Sequence, residues 1–356
     1  MSSTRTNTYH IRIDMESKSS DLLLDKEQVP YPQSQAYFDE ITIKKNQITI
    51  KAKRSGVVDL KGIFLNHQSA LYRQITKALI YYYCVAREPI QINRITVEHN
   101  AALSSEKIEI KKIELSQVVG KKADLSILNN IDLTALKLIF IENTKAHGYL
   151  YGLSFLIKSL HADSKHGVFE NNWKAFNAIY KAASGRTKDN DCHQFIRRHM
   201  VDNPQLYPLI LSKVSGMTDE LVRSNIRWVK FIHNDFATVK RTTAFKDFVL
   251  RNEDHRLIKI IKDSLSVRED NLKEENLYQE VVDHLNKNSS TVNEAHLAAT
   301  LCIKYAYFAR NKLIHAENIE SGFRLLPFNK EEKEVAWLSS LLVLLIIDLI
   351  NTNQSF

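Results

Sequence analysis

Short segments in the first third of the chain alternate apolar and polar residues. Alternation with a period of two is typical of strands that bury one face, because successive side chains of a strand point to opposite sides. The alternating segments are residues 41–43, 47–51, 91–98 and 107–115. Lys45 and Asn46, which lie between the first two of these segments, predict a tight hairpin.

Between these strands the apolar residues change to a helical period. Residues 68–86 repeat apolar side chains about four apart, which places them on one face of a helix. The repeated residues are Leu71, Ile75, Leu79 and Tyr82 or Tyr83. Strands and a helix together predict an α+β domain over residues 1–130, for which we expect a role in sensing or recruitment.

From about residue 131 the strand patterns cease and helical segments follow one another. Short polar stretches and prolines separate these segments, as is usual between helices. The predicted helices are residues 133–143, 149–161, 169–183, 194–199, 219–232, 243–265, 275–286, 292–314 and 330–350. Residues 131–356 are therefore predicted to form an all-α helical bundle.

One helix of this bundle is apolar enough to raise the question of a membrane. From Val335 to Ile350 the polar residues are Ser339, Ser340 and Asp348. The stretch is shorter than a bilayer span and holds an acidic residue near its end. A helix buried between the core and a partner subunit is the preferred interpretation, with no membrane.

The helix before it carries a group of polar residues at its end. Thr291 and Glu294 have the spacing of a capping box, which predicts a helix start at Val292. Its predicted inward face comprises Leu297, Leu301, Ile303 or Lys304, Tyr305 and Phe308. The helix then ends in the sequence Arg310, Asn311, Lys312, Leu313, Ile314 and His315.

The spacing of Arg310, Asn311 and His315 limits how they act together. Asn311 and His315 share a helix face, whereas Arg310 and His315 diverge by about 140° on an ideal helix. Arg310 and His315 converge on one ligand if the helix ends or bends here, or if a second subunit supplies the other half. A homodimer meeting at this helix end would bring two arginines and two histidines into one cleft.

Such a cleft suits cleavage of RNA without a metal ion. Histidine titrates near neutrality, so His315 would accept a proton from a ribose 2′-hydroxyl or donate one to the leaving oxygen. The planar guanidinium of Arg310 would hold phosphate oxygens as negative charge builds up. The expected products carry a 2′,3′-cyclic phosphate and a 5′-hydroxyl.

The composition adds little to this prediction. The formal charge of +8 suits RNA as a partner, but it also suits ordinary solubility. Cys84, Cys192 and Cys302 lie far apart and form no CxxC pair, so we expect neither a disulfide framework nor a thiolate zinc site. The polar start of the chain lacks the apolar core of a signal peptide, and a cytoplasmic location is expected.

An Arg and a His separated by four to six residues are a weak signal by themselves. The chain has further pairs at such spacings, including Arg186/His193 and Arg227/His233. What distinguishes Arg310/His315 is its context: Asn311 directly after the arginine, an apolar helix before the pair, a short loop and a long apolar helix after it.

This arrangement resembles the HEPN superfamily, whose helical bundles carry an Arg-x4–6-His motif with a polar residue after the arginine. The helix with Trp173 resembles the opening helix of such a bundle, and the resemblance covers about residues 169–352. It implies a metal-independent ribonuclease of the toxin or abortive-infection type that needs no cofactor. Arg310 and His315 would carry catalysis with Asn311 in support, in a homodimer controlled by an antitoxin or a phage-derived trigger.

Several alternatives stay open from the residues alone. A helix C-terminus favours cations such as Arg310 and His315 through its dipole, so the pair is also explained as a C-terminal cap. The alternative function is a catalytically silent HEPN dimer that binds protein or RNA. Arg227/His233 is interpreted as part of an amphipathic helix with exposed cations.

Glu109 and Lys111 have the spacing of a metal-nuclease element but are better explained as a solvent-facing strand. Basic clusters at 44–45, 51–54, 111–112 and 121–122 would recruit RNA or be solvated faces.

Overall fold

The computed structural model describes residues 7–31, 37–101, 104–115, 124–314 and 329–356. Contacts divide the chain into two compact units. The N-terminal unit comprises the chain up to His161 together with Asn353–Ser355, and the helical unit comprises Ala162–Thr352 with Phe356.

The N-terminal unit contains one antiparallel six-stranded sheet, so its α+β class is confirmed. The strand order is β2-β3-β4-β1-β5-β6. The strands are β1 (Asn7–Met15), β2 (Leu22–Pro30), β3 (Phe38–Lys44), β4 (Gln47–Arg54), β5 (Ile92–Ala101) and β6 (Ser104–Lys111). The predicted hairpin at Lys45 and Asn46 joins β3 to β4, where Lys44 pairs with Gln47.

The first two strands, β1 and β2, were not predicted from the sequence. β1 is the central strand, with Ile11 opposite Ile50 on β4 and Val97 on β5. Its alternate residues Tyr9, Ile11 and Ile13 are fully buried. The start of the chain is polar on average, but its alternation is that of a strand with one buried face.

Helix α2 (Ala70–Ala86) confirms the helix predicted at 68–86, and it packs on the sheet strands β2, β3 and β4. The other helices of the N-terminal unit are α1 (Gly62–Leu65), α3 (Leu133–Leu136) and α4 (Thr144–Leu160). The sequence predicts a domain boundary at residue 130. In the structure α4 lies beyond this residue, but it packs on α2 within the N-terminal unit. The ammonium of Lys77 on α2 bonds to Glu142 just before α4, at 3.0 Å.

The helical unit contains helices throughout its described residues. Helices α5 to α10 are Lys165–Ser184, Asp189–Asp202, Pro208–Ser215, Asp219–Asn225, Trp228–Asp235 and Thr242–Leu250. Helices α11 to α16 are His255–Asp263, Glu269–Glu274, Tyr278–Lys287, Glu294–Ala299, Ala306–Ile314 and Lys330–Asn351. The predicted helices 219–232 and 243–265 are wrong in extent, because each is two shorter helices in the structure. The bounds of 149–161, 194–199 and 275–286 differ by several residues from those of α4, α6 and α13, and of 133–143 only Leu133–Leu136 is α-helical.

Helix α16 lies in the core of this unit and packs on α5 and α7. Among the described residues it is the one helix long and apolar enough to cross a membrane, but 67% of its most apolar window is buried in the protein. Its acidic residue Asp348 accepts hydrogen bonds from the backbone N–H groups of Leu209 and Ile210, at 3.2 and 2.9 Å. These contacts are those of a core helix, in which the buried carboxyl group of Asp348 caps the start of α7.

Candidate functional site

The helix that carries Arg310 is continuous from Glu294 to Ile314. It consists of α14, a π-helical segment at Thr300–Tyr305, and α15. The predicted capping box is wrong, because the N-cap is Asn293, whose side chain accepts from the backbone N–H of His296 at 3.2 Å. The Thr291 hydroxyl instead donates to Asn288.

The inward face of this helix is as predicted. Leu297, Leu301, Tyr305 and Phe308 are buried, and at the open choice between positions 303 and 304 it is Ile303 that is buried. Lys304 is 40% exposed and forms an ion pair with Asp235. The interior side chains therefore fix the rotation of the helix and leave a polar side for Arg310 and Asn311.

Arg310 and Asn311 lie in the last turn of α15. Nη1 of Arg310 donates to Oδ1 of Asn311 at 3.0 Å, and both side chains are partly exposed. Nε of Arg310 is buried and has no hydrogen-bond partner among the described residues. No carboxylate in the described ranges forms an ion pair with Arg310. His315 lies outside the described residues.

A cavity of about 520 Å³ lies beside the same helix, entirely within the helical unit. The π-helical segment supplies Thr300, Ile303 and Lys304 to its wall, and Tyr307 follows one turn later. At about 100° per residue, Asn311 lies about 40° to one side of Tyr307 and Arg310 about 60° to the other. Arg310 and Asn311 therefore lie on the same side of the helix as the residues that line the cavity.

Cationic side chains dominate the charged lining of this cavity. They are Arg197, Arg241, Arg251 and Lys304, and Asp235 is the one described carboxylate among the lining residues. Burial, together with the neighbouring Arg251, lowers the pKa of Arg197. Burial lowers the pKa of His193 to about 4, so this imidazole is neutral at physiological pH. The cavity is therefore suited to an anionic ligand.

Aromatic rings form another part of the lining. Phe236, Phe248 and Tyr307 face the cavity, and the ring centroid of Tyr307 lies 5.2 Å from that of His193. This cavity was not predicted from the sequence, because the residues that line it are spread over positions 190–307 and share no motif. The one signal in the sequence was the Arg186/His193 pair, which contributes His193 alone to the lining.

The rival pair Arg227/His233 has a different structural role from the predicted one. Arg227 is not an exposed cation: its guanidinium forms ion pairs with Glu331 and Glu334 on α16, at 2.9 and 2.7 Å. Its backbone N–H also donates to the hydroxyl of Tyr305 at 2.6 Å. Arg227 therefore attaches the start of α9 to the core, and His233 alone remains exposed.

Several charged residues of the rival sites in the N-terminal unit have partners of opposite charge, and the predicted cluster 121–122 lies outside the described residues. Glu109 is exposed on β6 and lies 3.8 Å from a guanidinium nitrogen of Arg94. In the basic clusters, Arg54 is buried against Asp39 with two bonds of 2.7 Å, and Lys51 pairs with Glu40. In the part of the chain that the structure describes, no three His, Cys, Asp or Glu residues are grouped as a metal site would require.

Comparison of the chain with models of protein families, with curated proteins and with solved structures gives no match. The arguments for function therefore come from the residues and their geometry.

Proposed function

We propose that the helical unit is a metal-independent endoribonuclease of the HEPN type, in which Arg310 and His315 act on the scissile phosphate. The observation that carries this proposal is the state of Arg310. Its guanidinium lies at the end of a rigid helix, is bonded to Asn311, and has no carboxylate partner among the described residues. A guanidinium held in this way is suited to bind a phosphate group.

The reaction needs two proton transfers and no metal ion. A neutral imidazole of His315 removes the proton from a ribose 2′-hydroxyl, and the 2′-oxygen forms a bond to phosphorus. The bond between phosphorus and the 5′-oxygen breaks, and this oxygen receives a proton from a second, protonated imidazole. Arg310 stabilises the charge on the phosphoryl oxygens. The products are a 2′,3′-cyclic phosphate and a 5′-hydroxyl, and DNA is excluded because it lacks the attacking group.

A homodimer provides both imidazoles. Arg310 and His315 are five residues apart, and on a regular helix their side chains diverge by about 140°. Two copies that meet at this helix end would place one arginine and one histidine from each copy on a single phosphate. In this proposal the cytoplasmic dimer acts as a toxin or in antiviral defence, and an antitoxin or a phage-derived trigger controls it.

The test is cleavage of a labelled single-stranded RNA in EDTA by the native protein, Arg310→Ala and His315→Ala. Loss of either group is expected to reduce the cleavage rate by about 10²–10⁴-fold. The matched controls are Arg198→Ala and His233→Ala, which remove an exposed arginine and the exposed histidine of the rival pair. RNA ends are identified by sequencing, and a substrate with a 2′-deoxy group at the cleavage site should resist.

Full cleavage by both motif variants would reject Arg310 and His315 as the catalytic groups. A native protein that binds RNA tightly but never cuts it would favour the silent binding module instead. Growth arrest on expression of the native protein, relieved by His315→Ala and not by His233→Ala, is expected for a toxin. Arrest that persists in the Arg310→Ala, His315→Ala double variant would contradict the toxin role.

A further inference from the structure

The cavity beside the π-helical segment has an excess of positive charge that the helical unit does not compensate. Lys304 is paired with Asp235, the one described carboxylate of the lining. The guanidinium groups of Arg197, Arg241 and Arg251 form no ion pair with any described carboxylate. Elsewhere in this unit, Arg223, Arg227 and Arg256 each have one. The three lining arginines are therefore available to a ligand.

Arg197 is the most informative of the three, because it is half-buried. Its guanidinium donates to the backbone carbonyl of Arg251. Burial and, to a smaller extent, the charge of Arg251 lower the pKa of Arg197, and Glu253 offsets only part of this effect. Two cations held together in a partly desolvated place destabilise each other. A phosphate group between them would remove this repulsion and accept several charge-assisted hydrogen bonds.

The remaining lining fits a planar ring with polar edges. Phe236 and Phe248 form an apolar wall, and the partly exposed ring of Tyr307 offers a stacking surface. The exposed amides of Asn190 and Asn234 offer both donors and acceptors. Nε2 of His193 is buried and has no hydrogen-bond partner among the described residues. A volume of about 520 Å³ lies within the range of small-ligand pockets, about 300–1,000 Å³.

The backbone beside the cavity also departs from a regular α-helix, in the π-helical segment Thr300–Tyr305. The hydroxyl of Thr300, the first residue of the π-helical segment, donates to Oδ1 of Asn252 at 2.7 Å. The amide of Asn252 in turn donates to the carbonyl of Phe248 at 2.7 Å. Single π turns within α-helices occur frequently at functional sites. They redirect side chains at a cost in regular hydrogen bonding. Here the redirected segment forms one wall of the cavity.

We propose that this cavity binds a free nucleotide, with its phosphates at Arg197, Arg251 and Arg241 and its base against Tyr307. The site uses neither Arg310 nor His315, and the proposal is therefore independent of ribonuclease activity. A nucleotide combines the two features that the lining requires, a multiply charged anion and a flat ring with hydrogen-bonding edges. No chemical change of the nucleotide is part of the proposal.

The test is isothermal titration of the full chain, in EDTA, with ATP, ADP, AMP, pyrophosphate and a short single-stranded RNA. We expect one saturable site for ATP or ADP, with weaker binding of AMP because it offers fewer charges. Pyrophosphate binding as tight as that of ADP would overturn a nucleotide site, because it would leave the base without a role. Binding of the RNA alone, or no binding of any nucleotide at millimolar concentration, would also overturn it.

Variants locate the binding to this cavity. Arg251→Ala and Arg241→Ala change exposed residues, and each should raise the Kd for ATP by about tenfold or more. Arg198→Ala, on the same helix as Arg197 but outside the lining, is the control and should leave the Kd unchanged. Asp235→Asn should tighten binding, because it removes the carboxylate and frees Lys304.

Unchanged affinity in both arginine variants would overturn the assignment to this cavity, as would weaker binding by Asp235→Asn. The Arg310→Ala variant separates the two proposals of this article. It should lose RNA cleavage and keep nucleotide affinity, so a failure of the ribonuclease does not decide the nucleotide site, and a failure of nucleotide binding does not decide the ribonuclease.

Discussion

Asp348 accepts a hydrogen bond of 2.9 Å from the backbone N–H of Ile210, 138 residues earlier in the chain. It thereby supplies the cap at the start of α7, because the side chain of Tyr207 at the N-cap position makes no capping hydrogen bond. This cap explains why the carboxyl group of Asp348 is buried in the long apolar helix α16. Burial raises the pKa of Asp348 from 3.8 to about 6.

Asp348→Ala should lower the free energy of unfolding by about 1–3 kcal/mol at pH 5, because two buried backbone N–H groups lose their acceptor. The measurement is urea unfolding followed by circular dichroism. Ser340→Ala, an exposed change on the same helix, is the control and should stay within about 0.5 kcal/mol of the native protein. Equal stabilities of the two variants would contradict the capping role.

The pH dependence of stability should carry a contribution from Asp348. Its pKa is higher in the folded protein than in the unfolded chain, so folding takes up a proton. The contribution is fully present below about pH 4 and is lost as pH rises through about 6. It amounts to at most about 3 kcal/mol. The difference in unfolding free energy between the native protein and Asp348→Asn, measured from pH 4 to 7, should decline with pH. A flat difference would contradict this.

Removal of Arg256 should be among the most destabilising single changes in the helical unit. Its guanidinium bonds to Asp254 at 2.7 and 2.8 Å and to the carbonyl of Val214 at 2.7 Å, and all of these groups are buried. Arg256→Ala leaves a buried carboxylate without its partner, at a cost of about 3–5 kcal/mol. Arg223→Ala breaks an exposed pair with Asp263 and should cost at most about 1 kcal/mol. Chemical denaturation of both variants gives the comparison.

Asn311 is expected to position Arg310 for catalysis. Asn311→Ala removes the acceptor of the 3.0 Å hydrogen bond from Arg310. It should slow single-turnover RNA cleavage by about tenfold, which corresponds to the loss of one charge-assisted hydrogen bond. Asn311→Asp keeps an acceptor but adds a negative charge beside the phosphate, so it should raise KM more than it lowers kcat. If both variants cleave as the native protein does, Asn311 has no such role.

Arg310→Lys should not restore cleavage, although it conserves the charge. An ammonium group is a compact donor and cannot reproduce the planar fork that binds two phosphate oxygens. We expect a rate within about tenfold of that of Arg310→Ala, in the same single-turnover assay. A lysine variant as active as the native protein would show that charge alone suffices at this position.

Local patterns predicted much of the secondary structure. The helix α2 and the strands β3 and β4 follow from periodicity, because burial of one face imposes a period of two or 3.6 residues. The hairpin between these strands follows from Lys45 and Asn46, and the helix α16 follows from its long apolar run, since most of its sides are buried. The missed strand β1 has the same period, but polar residues around it concealed the signal. The cap at Asn293 was missed because Thr291 and Glu294 fit a capping box equally well in sequence.

The sequence by itself determined the α+β and all-α parts and the position of Arg310 and Asn311 at the end of an apolar helix. Tertiary structure decided which cations are free: Arg227 is neutralised by residues about a hundred positions away, whereas Arg197, Arg241 and Arg251 converge on one cavity. The reason is physical. Periodicity reports which face of one element is buried, whereas charge compensation depends on which distant elements meet that face.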